Sequence, residues 1–338
     1  MQKINVFING FGRIGRALLR ALLDDSRFEV VGINDLYPYR QFAYLLQYDS
    51  TYGTLPYRVG LDQDMLTVAG RSIRLFNEER AEALGLEALG VDILFQCSGV
   101  HLSRAANQPY LESGAKKIIL SAPPQDDMPV FVPGVNDGNY RGEIVVSAAS
   151  CSANAIAPVF QLLEESAGIE AAGVSMIHSY TSDQRLLDGA AGSREMLRGR
   201  SATANILPLS SSAARTVGRL LPQIAHRIET HSIRVPVASG TLYDFSVQLK
   251  KPCEAQALNR MLDDAARHRY HALMAVTDRA LASTDIIGDP HGITVETART
   301  QVVNERFVRV LGWQDNETGY VSQMIRLARR LQTQAEIG

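Results

Sequence analysis

The residues that could do chemistry cluster first at Ser147-Ala148-Ala149-Ser150-Cys151-Ser152-Ala153-Asn154, where the pattern places a thiol at a helix start. Residues 142–147 (GEIVVS) are β-branched and apolar, whereas residues 155–165 (AIAPVFQLLEE) carry apolar residues at helical spacing. The break therefore falls at Ser150-Cys151, with Ser150 as the expected N-cap. In a first helical turn, unpaired backbone N–H groups and the positive end of the dipole both favour the thiolate, the nucleophilic form. Taken alone, such a cysteine is more often a small buried hydrophobe. The rest of the chain overturns that reading.

The second chemical stretch is Asn9-Gly10-Phe11-Gly12-Arg13-Ile14-Gly15. It follows a buried-strand pattern at residues 4–8 (INVFI) and leads into a helical one at 16–23 (RALLRALL). In that setting the first glycine permits a tight turn, the second lets backbone approach a pyrophosphate, and the third lets helix pack on strand. A second strand, residues 28–34 (FEVVGIN), ends in Asp35, 20 residues beyond Gly15. A carboxylate there accepts hydrogen bonds from adenosine ribose hydroxyls and repels a 2′-phosphate, so NAD is expected over NADP.

The elements that must position these residues follow from length and pattern. At 338 residues the chain is long for one core and suits two domains. Residues 91–97 (VDILFQC) and 117–121 (KIILS) are further buried strands of a parallel sheet. Ser98, Gly99 and Ser121 then sit at strand ends, as ligand-binding residues or as plain turn residues. A short hairpin is expected near Asp62-Gln63-Asp64. After Asn154 the strands alternate, at 173–178, 232–237 and 241–250, which predicts an antiparallel sheet in a second, α+β domain. The polar stretch from Thr181 to Asn205 is too long for a tight connection and reads as a functional or interface loop. Residues 317–334 place Val321, Met324, Ile325, Leu327 and Leu331 on one helical face, expected to dock on the N-terminal domain. The fold class is thus an α/β Rossmann domain plus an α+β catalytic domain with a mostly antiparallel sheet. The expected division is 1–150, 151–316, and a C-terminal helix at 317–338.

Composition excludes several functions. A formal net charge of −2, with dispersed arginines, offers no global attraction to nucleic acid or to an acidic membrane. No apolar run is long enough to span a bilayer, and the N-terminal residues lack signal-peptide character, so a cytoplasmic location is expected. Cys97, Cys151 and Cys253 are odd in number and far apart, against both a disulfide framework and a cysteine-based metal site.

With these pieces in place the sequence resembles the glyceraldehyde-3-phosphate dehydrogenase family across essentially its whole length. The resemblance rests on Asn9 to Arg16, Asn34-Asp35, Ser147 to Asn154, His178 with Tyr180-Thr181 and Gln184, Arg234-Val235-Pro236, and Trp313-x-Asp315-Asn316-Glu317-x-Gly319-Tyr320. It implies a homotetramer and a mechanism. Cys151 attacks an aldehyde, and His178 takes the proton and stabilises the thiolate as an ion pair. Hydride leaves for NAD, and inorganic phosphate or water cleaves the thioester. It further implies Asn316 at the nicotinamide carboxamide and Tyr320 near the ring. Thr181 and Arg234 would hold the substrate phosphate, with Ser150, Ser152, Ser211 and Arg198 around the attacking phosphate.

Departures open alternatives. Where the family carries a second threonine donor two residues after Thr181, this chain has Asp183, whose carboxylate repels a phosphate unless Arg234 or Arg185 neutralises it. Ala148 and Ala153 replace an asparagine and a threonine, and Gln96 replaces an acid before Cys97. The leading expectation is oxidation of D-glyceraldehyde 3-phosphate with phosphate and NAD to 1,3-bisphosphoglycerate and NADH. The alternative is D-erythrose 4-phosphate oxidation, with water as acceptor, for vitamin B6 synthesis. An NAD-binding paralogue with little turnover is a third.

Overall fold

Continuous apolar runs closed by small residues become parallel strands, because both faces of each are buried. The computed structural model describes residues 3–192 and 195–335. Met1, Gln2, Ser193, Arg194 and residues 336–338, which include parts of the expected 181–205 loop and C-terminal segment, lie outside the described residues. Contacts group the described residues through Phe131, Asn139–Ala149 and those from Met324 onward into one unit, and Val132–Gly138 with Ser150–Gln323 into another. Residues 132–138 and the first turns of the C-terminal helix thus count with the second unit, where the sequence reading divides the chain at 150 and 317.

In the first unit an eight-stranded sheet runs, in spatial order, Val145–Ser147, Lys117–Leu120, Ile93–Gln96, Ile4–Asn9, Phe28–Asn34, Arg71–Phe76, Met65–Val68 and Gly60–Asp62. The first six are parallel and the last two extend the sheet antiparallel. Taken in chain order, the six parallel strands lie 6-5-4-1-2-3, the doubly wound arrangement whose ligand crevice lies at the strand C-terminal ends. The expected hairpin is Gly60–Asp62 against Met65–Val68, with Gln63 at φ 50° in its turn. The strand before Cys151 spans only Val145–Ser147, shorter than residues 142–147. Helix Arg13–Leu23 buries Leu18, Leu19 and Leu22, at the spacing that turns one face inward. Helix Thr318–Ala335 buries Val321, Met324, Leu327 and Leu331. Within the first unit, Lys117 Nζ donates to Leu331 O at 3.3 Å and Arg329 pairs with Asp25.

The second unit holds a seven-stranded sheet in the order Leu207–Leu209, Ile228–Val235, Ile169–Ser179, Thr241–Leu249, Phe307–Gln314, Ile293–Val303 and Met274–Thr277. Four pairings are antiparallel, but Ile169–Ser179 runs parallel to Ile228–Val235, and Met274–Thr277 parallel to Ile293–Val303. Thr241–Leu249 alternates strictly, burying Thr241, Tyr243, Phe245, Val247 and Leu249. That buried face meets helix Cys151–Ser166, where the Phe160 and Phe245 rings sit 5.7 Å apart, edge to face.

Among the described residues no helix is long and apolar enough to cross a membrane, and no group of three or more His, Cys, Asp or Glu could hold a metal ion.

Candidate active site

Cys151 opens helix Cys151–Ser166, and the Ser150 side chain caps it by accepting from Ala153 N at 3.1 Å. Ala149, at φ 64°, makes the sharp turn between strand and helix in a region costly for a residue with a Cβ. The parallel pairing of Ile169–Ser179 with Ile228–Val235 sets His178 opposite Arg234. The packing brings His178 Nε2 to 3.9 Å from Cys151 Sγ, and Ser152 Oγ lies 3.9 Å from the same sulfur. The opposite ring nitrogen, Nδ1, lies 2.7 Å from Ser179 O and 2.9 Å from Arg234 Nη1.

Electrostatics act on both groups. Protein packed around the sulfur pushes the Cys151 thiol up, against the opposing charge of Arg234 and the hydrogen bond of Ser152. Burial, with Arg234 adding to it, pulls His178 down to about 3. Burial thus opposes charge on both groups, and the guanidinium opposes it further on the imidazole.

The anion donors are already engaged. Thr181 Oγ1 donates to Asp183 Oδ1 at 2.5 Å, and Arg198 pairs with both Asp183 and Glu195, the latter at 3.0 Å. Glu195 also accepts from Ser210 N at 2.6 Å. Burial raises the Asp183 carboxyl, but Thr181, Arg198 and Arg234 together hold it below the usual range. Arg234 donates through Nη1 to Ser179 O at 2.9 Å and reaches Thr181 Oγ1 at 3.3 Å, yet its buried Nε has no partner. The Ser211 side chain accepts from Ala213 N at 3.0 Å, and no hydrogen bond joins it to the Thr181–Arg198 cluster. Arg185 is exposed and donates to Ala190 O, so Arg198 rather than Arg185 partners the acid.

Asn316 Oδ1 accepts from Ser179 Oγ at 3.0 Å and from Gly240 N at 3.3 Å. This fixes the amide orientation and leaves its NH₂ for a ligand. Tyr320 is buried at the first turn of its helix.

The glycine loop stands in the first unit. Gly12 is the N-cap of Arg13–Leu23 with no side chain closing it, and a Cβ there would meet nothing within 4 Å. Gly10 has φ +99°, and a Cβ there would lie 2.4 Å from Ser98 N. This bare, open helix start fits a pyrophosphate. Asp35 Oδ2 accepts from Phe11 N at 2.6 Å, tying the acid to the loop. The Arg13 guanidinium pairs with Asp49 at 2.6 Å, and Ile14 is half-buried. Ser98 Oγ donates to Gln96 Oε1 at 2.9 Å and Ser121 Oγ to Gln96 O at 3.1 Å.

Gln96, without a role in the sequence reading, accepts from Asn9 Nδ2 at 2.8 Å and donates through Nε2 to Asn107 Oδ1 at 3.3 Å. An ionised acid could accept but not donate, so the amide suits this buried network. Two side chains behind Cys151 were also missed. Gln314 Nε2 donates to Cys151 O at 3.0 Å, and the Tyr243 hydroxyl donates to Gln314 Oε1 at 2.7 Å. Gln314 was the unread position of Trp313-x-Asp315. Tyr243 lies on the inward face of an alternating strand, where burial of a phenol signals a partner.

Residues 4–104 match the family described as glyceraldehyde 3-phosphate dehydrogenase, NAD binding domain, and residues 150–316 its C-terminal domain. The chain is 37% identical over 331 residues to a glyceraldehyde-3-phosphate dehydrogenase of Haloarcula vallismortis, covering 97% of this chain and 98% of that one. It is 36% identical over 332 residues to one of Mycobacterium avium (96% and 97% covered), and 36% over 327 residues to glyceraldehyde-3-phosphate dehydrogenase 2 of Streptomyces avermitilis (96% and 97%). These matches place the chain in the glyceraldehyde-3-phosphate dehydrogenase family, as an NAD-dependent oxidoreductase acting on an aldehyde.

Proposed function

We propose that the chain oxidises D-glyceraldehyde 3-phosphate through a thioester on Cys151, with inorganic phosphate releasing 1,3-bisphosphoglycerate. The observation that carries this reading is the thiol at a helix start, 3.9 Å from His178 Nε2, with Arg234 beside the imidazole. Cys151 adds to the aldehyde carbon, His178 accepts the thiol proton, and backbone N–H at the helix start supports the developing oxyanion. NAD, when bound, accepts the hydride. His178 then holds the proton while the acyl group stays on sulfur for the acceptor. Arg234, with its unpartnered Nε, and Thr181 bind the substrate phosphate; Ser150, Ser152, Ser211 and Arg198 bind the attacking one. Asn316 and Tyr320 orient the nicotinamide, and Asn9 to Ile14, Asp35, Ser98 and Ser121 hold the rest of the cofactor. A homotetramer in the cytoplasm belongs to the same reading, its assembly testable by sedimentation.

One observation favours D-erythrose 4-phosphate with water instead. Asp183 already takes the Thr181 hydroxyl and the Arg198 guanidinium, so the position for a second anion is filled by a carboxylate. Initial NADH rates with each sugar phosphate, with and without inorganic phosphate, decide the matter. Phosphate-dependent turnover of the triose supports the leading reading. Phosphate-independent preference for the tetrose replaces it, and silence with both refutes both. Cys151→Ser must abolish oxidation while leaving NAD binding nearly intact.

A further inference from the structure

We infer that Tyr243 and Gln314 are positioning residues for the nucleophile: through one directed chain of hydrogen bonds they polarise the peptide unit between Cys151 and Ser152, whose N–H meets the Cys151 sulfur, and so favour the thiolate. The role rests on the proposed one of Cys151 and adds two side chains that act through its backbone.

Strand pairing brings the two side chains together. Thr241 lies opposite Gln314 and Tyr243 opposite Gly312, so Tyr243 is the diagonal neighbour of Gln314 on one face of the sheet. Both are buried there, at 0% and 1% exposure. Burial, with Cys151 beside it, raises the Tyr243 phenol well above its ordinary pKa, so the hydroxyl keeps its hydrogen. It donates to Gln314 Oε1 at 2.7 Å, which fixes the orientation of the amide. The other end, Nε2, donates to Cys151 O at 3.0 Å. A carbonyl has two lone pairs and takes this bond beside its place in the helix.

The chain of bonds ends on the sulfur. Ser150 takes two amides of the first helical turn, Ala153 N at its side chain (3.1 Å) and Asn154 N at its carbonyl (3.0 Å). Desolvation raises the Cys151 thiol. The Arg234 charge, the Ser152 hydroxyl and the N–H groups of Ser152 and Cys151, hydrogen-bonding the sulfur, oppose it. The Ser152 N–H and the Cys151 carbonyl belong to one peptide unit. Donation into its oxygen draws electron density from its nitrogen and strengthens that N–H as a donor. Successive bonds pointing the same way reinforce one another, by about 10–30% each. The other groups at the sulfur, His178 Nε2 and Ser152 Oγ, both at 3.9 Å, and Arg234, stay in place when Gln314 is changed.

The test follows alkylation of Cys151 in the whole chain by uncharged iodoacetamide across about pH 5 to 10. It is read on the Cys151 peptide by mass spectrometry, so that Cys97 and Cys253 do not contribute. Gln314→Met keeps the length of the side chain and removes both of its hydrogen bonds, and Tyr243→Phe keeps the ring and removes the first donor. Loss of the reinforcement from a bond to charged sulfur is expected to slow alkylation about two- to fivefold on the rising limb of the pH profile in Gln314→Met. The limb moves to higher pH, and the plateau, where the thiol is fully ionised, does not fall. Tyr243→Phe moves the limb the same way by less. The double variant is slowed by less than the product of the single effects, because the phenol acts through the amide. A role in packing alone lowers the melting temperature of both variants and leaves the midpoint of the profile where it was. That result overturns the inference, as do faster alkylation on the rising limb and single effects that multiply. If Gln314→Met does not fold, the direction of the limb in Tyr243→Phe decides. NADH formation from a phosphorylated aldehyde by the unaltered chain separates the cases. Turnover with an unmoved midpoint removes this inference alone, whereas a moved midpoint without turnover removes the reading of Cys151 as nucleophile and leaves the chain of bonds in force.

Discussion

Replacing Gly12 and Gly15 by alanine separates cofactor binding from folding within one loop. At Gly15 an added Cβ would lie 2.1 Å from Gly10 O and 3.3 Å from Ile8 Cγ2. The first is a backbone atom in a tight turn, so the helix start must shift. Overpacking of this kind costs about 1–3 kcal/mol, which for a unit of this size lowers the melting temperature by about 2–4 °C per kcal/mol. At Gly12 the added Cβ meets nothing within 4 Å, and the backbone, φ −69° and ψ −156°, suits alanine. Gly12→Ala should leave the fold intact or stabilise it by about 0.4–1 kcal/mol through a stiffer unfolded chain. The same methyl would stand where the pyrophosphate approaches the helix start. A clash of about 1–3 kcal/mol there weakens NAD by roughly 5- to 150-fold. Calorimetric melting without cofactor and fluorescence titration with NAD read the two effects. If Gly12→Ala binds NAD within about twofold of the unaltered chain, or Gly15→Ala melts unchanged, the placement of the pyrophosphate or the packing argument is wrong.

Three further outcomes are expected. Asp35→Ala should weaken NAD and relax exclusion of NADP, because the carboxylate holds Phe11 N and is the proposed partner of the ribose; an unchanged ratio of kcat/KM for the two cofactors would show the ribose site misplaced. Asp183→Thr releases Arg198 for a second anion and should raise the dependence of turnover on inorganic phosphate, and an unchanged ranking of phosphorylated aldehydes would mean that the acid does not select substrate. His178 binds its proton far more weakly folded, at about 3, than unfolded, at about 6.5. Its contribution is therefore complete above pH 6.5 and is lost as pH falls toward 3, by about 2 kcal/mol between pH 6.5 and 5. His178→Asn should flatten the acid-side loss seen in urea titrations at those pH values, and equal slopes in both proteins would contradict the buried neutral imidazole.

Much was legible before any coordinates, because local chemistry announces itself locally. The glycine triplet between an apolar strand and an amphipathic helix, Asp35 at the next strand end, and Ser150 as cap before Cys151 are short-range patterns whose physical meaning does not depend on the rest of the chain. Tertiary structure decided what depends on distant segments. The parallel pairing of Ile169–Ser179 with Ile228–Val235 sets His178 against Arg234, 56 positions apart, and alternation along a strand could not reveal that direction. Burial, with a guanidinium close by, lowers the His178 pKa, since the cost of charging a buried group depends on all its neighbours. Asp183 stood out in the sequence as a misplaced acid, and only the fold shows that Thr181 and Arg198 are the groups it holds.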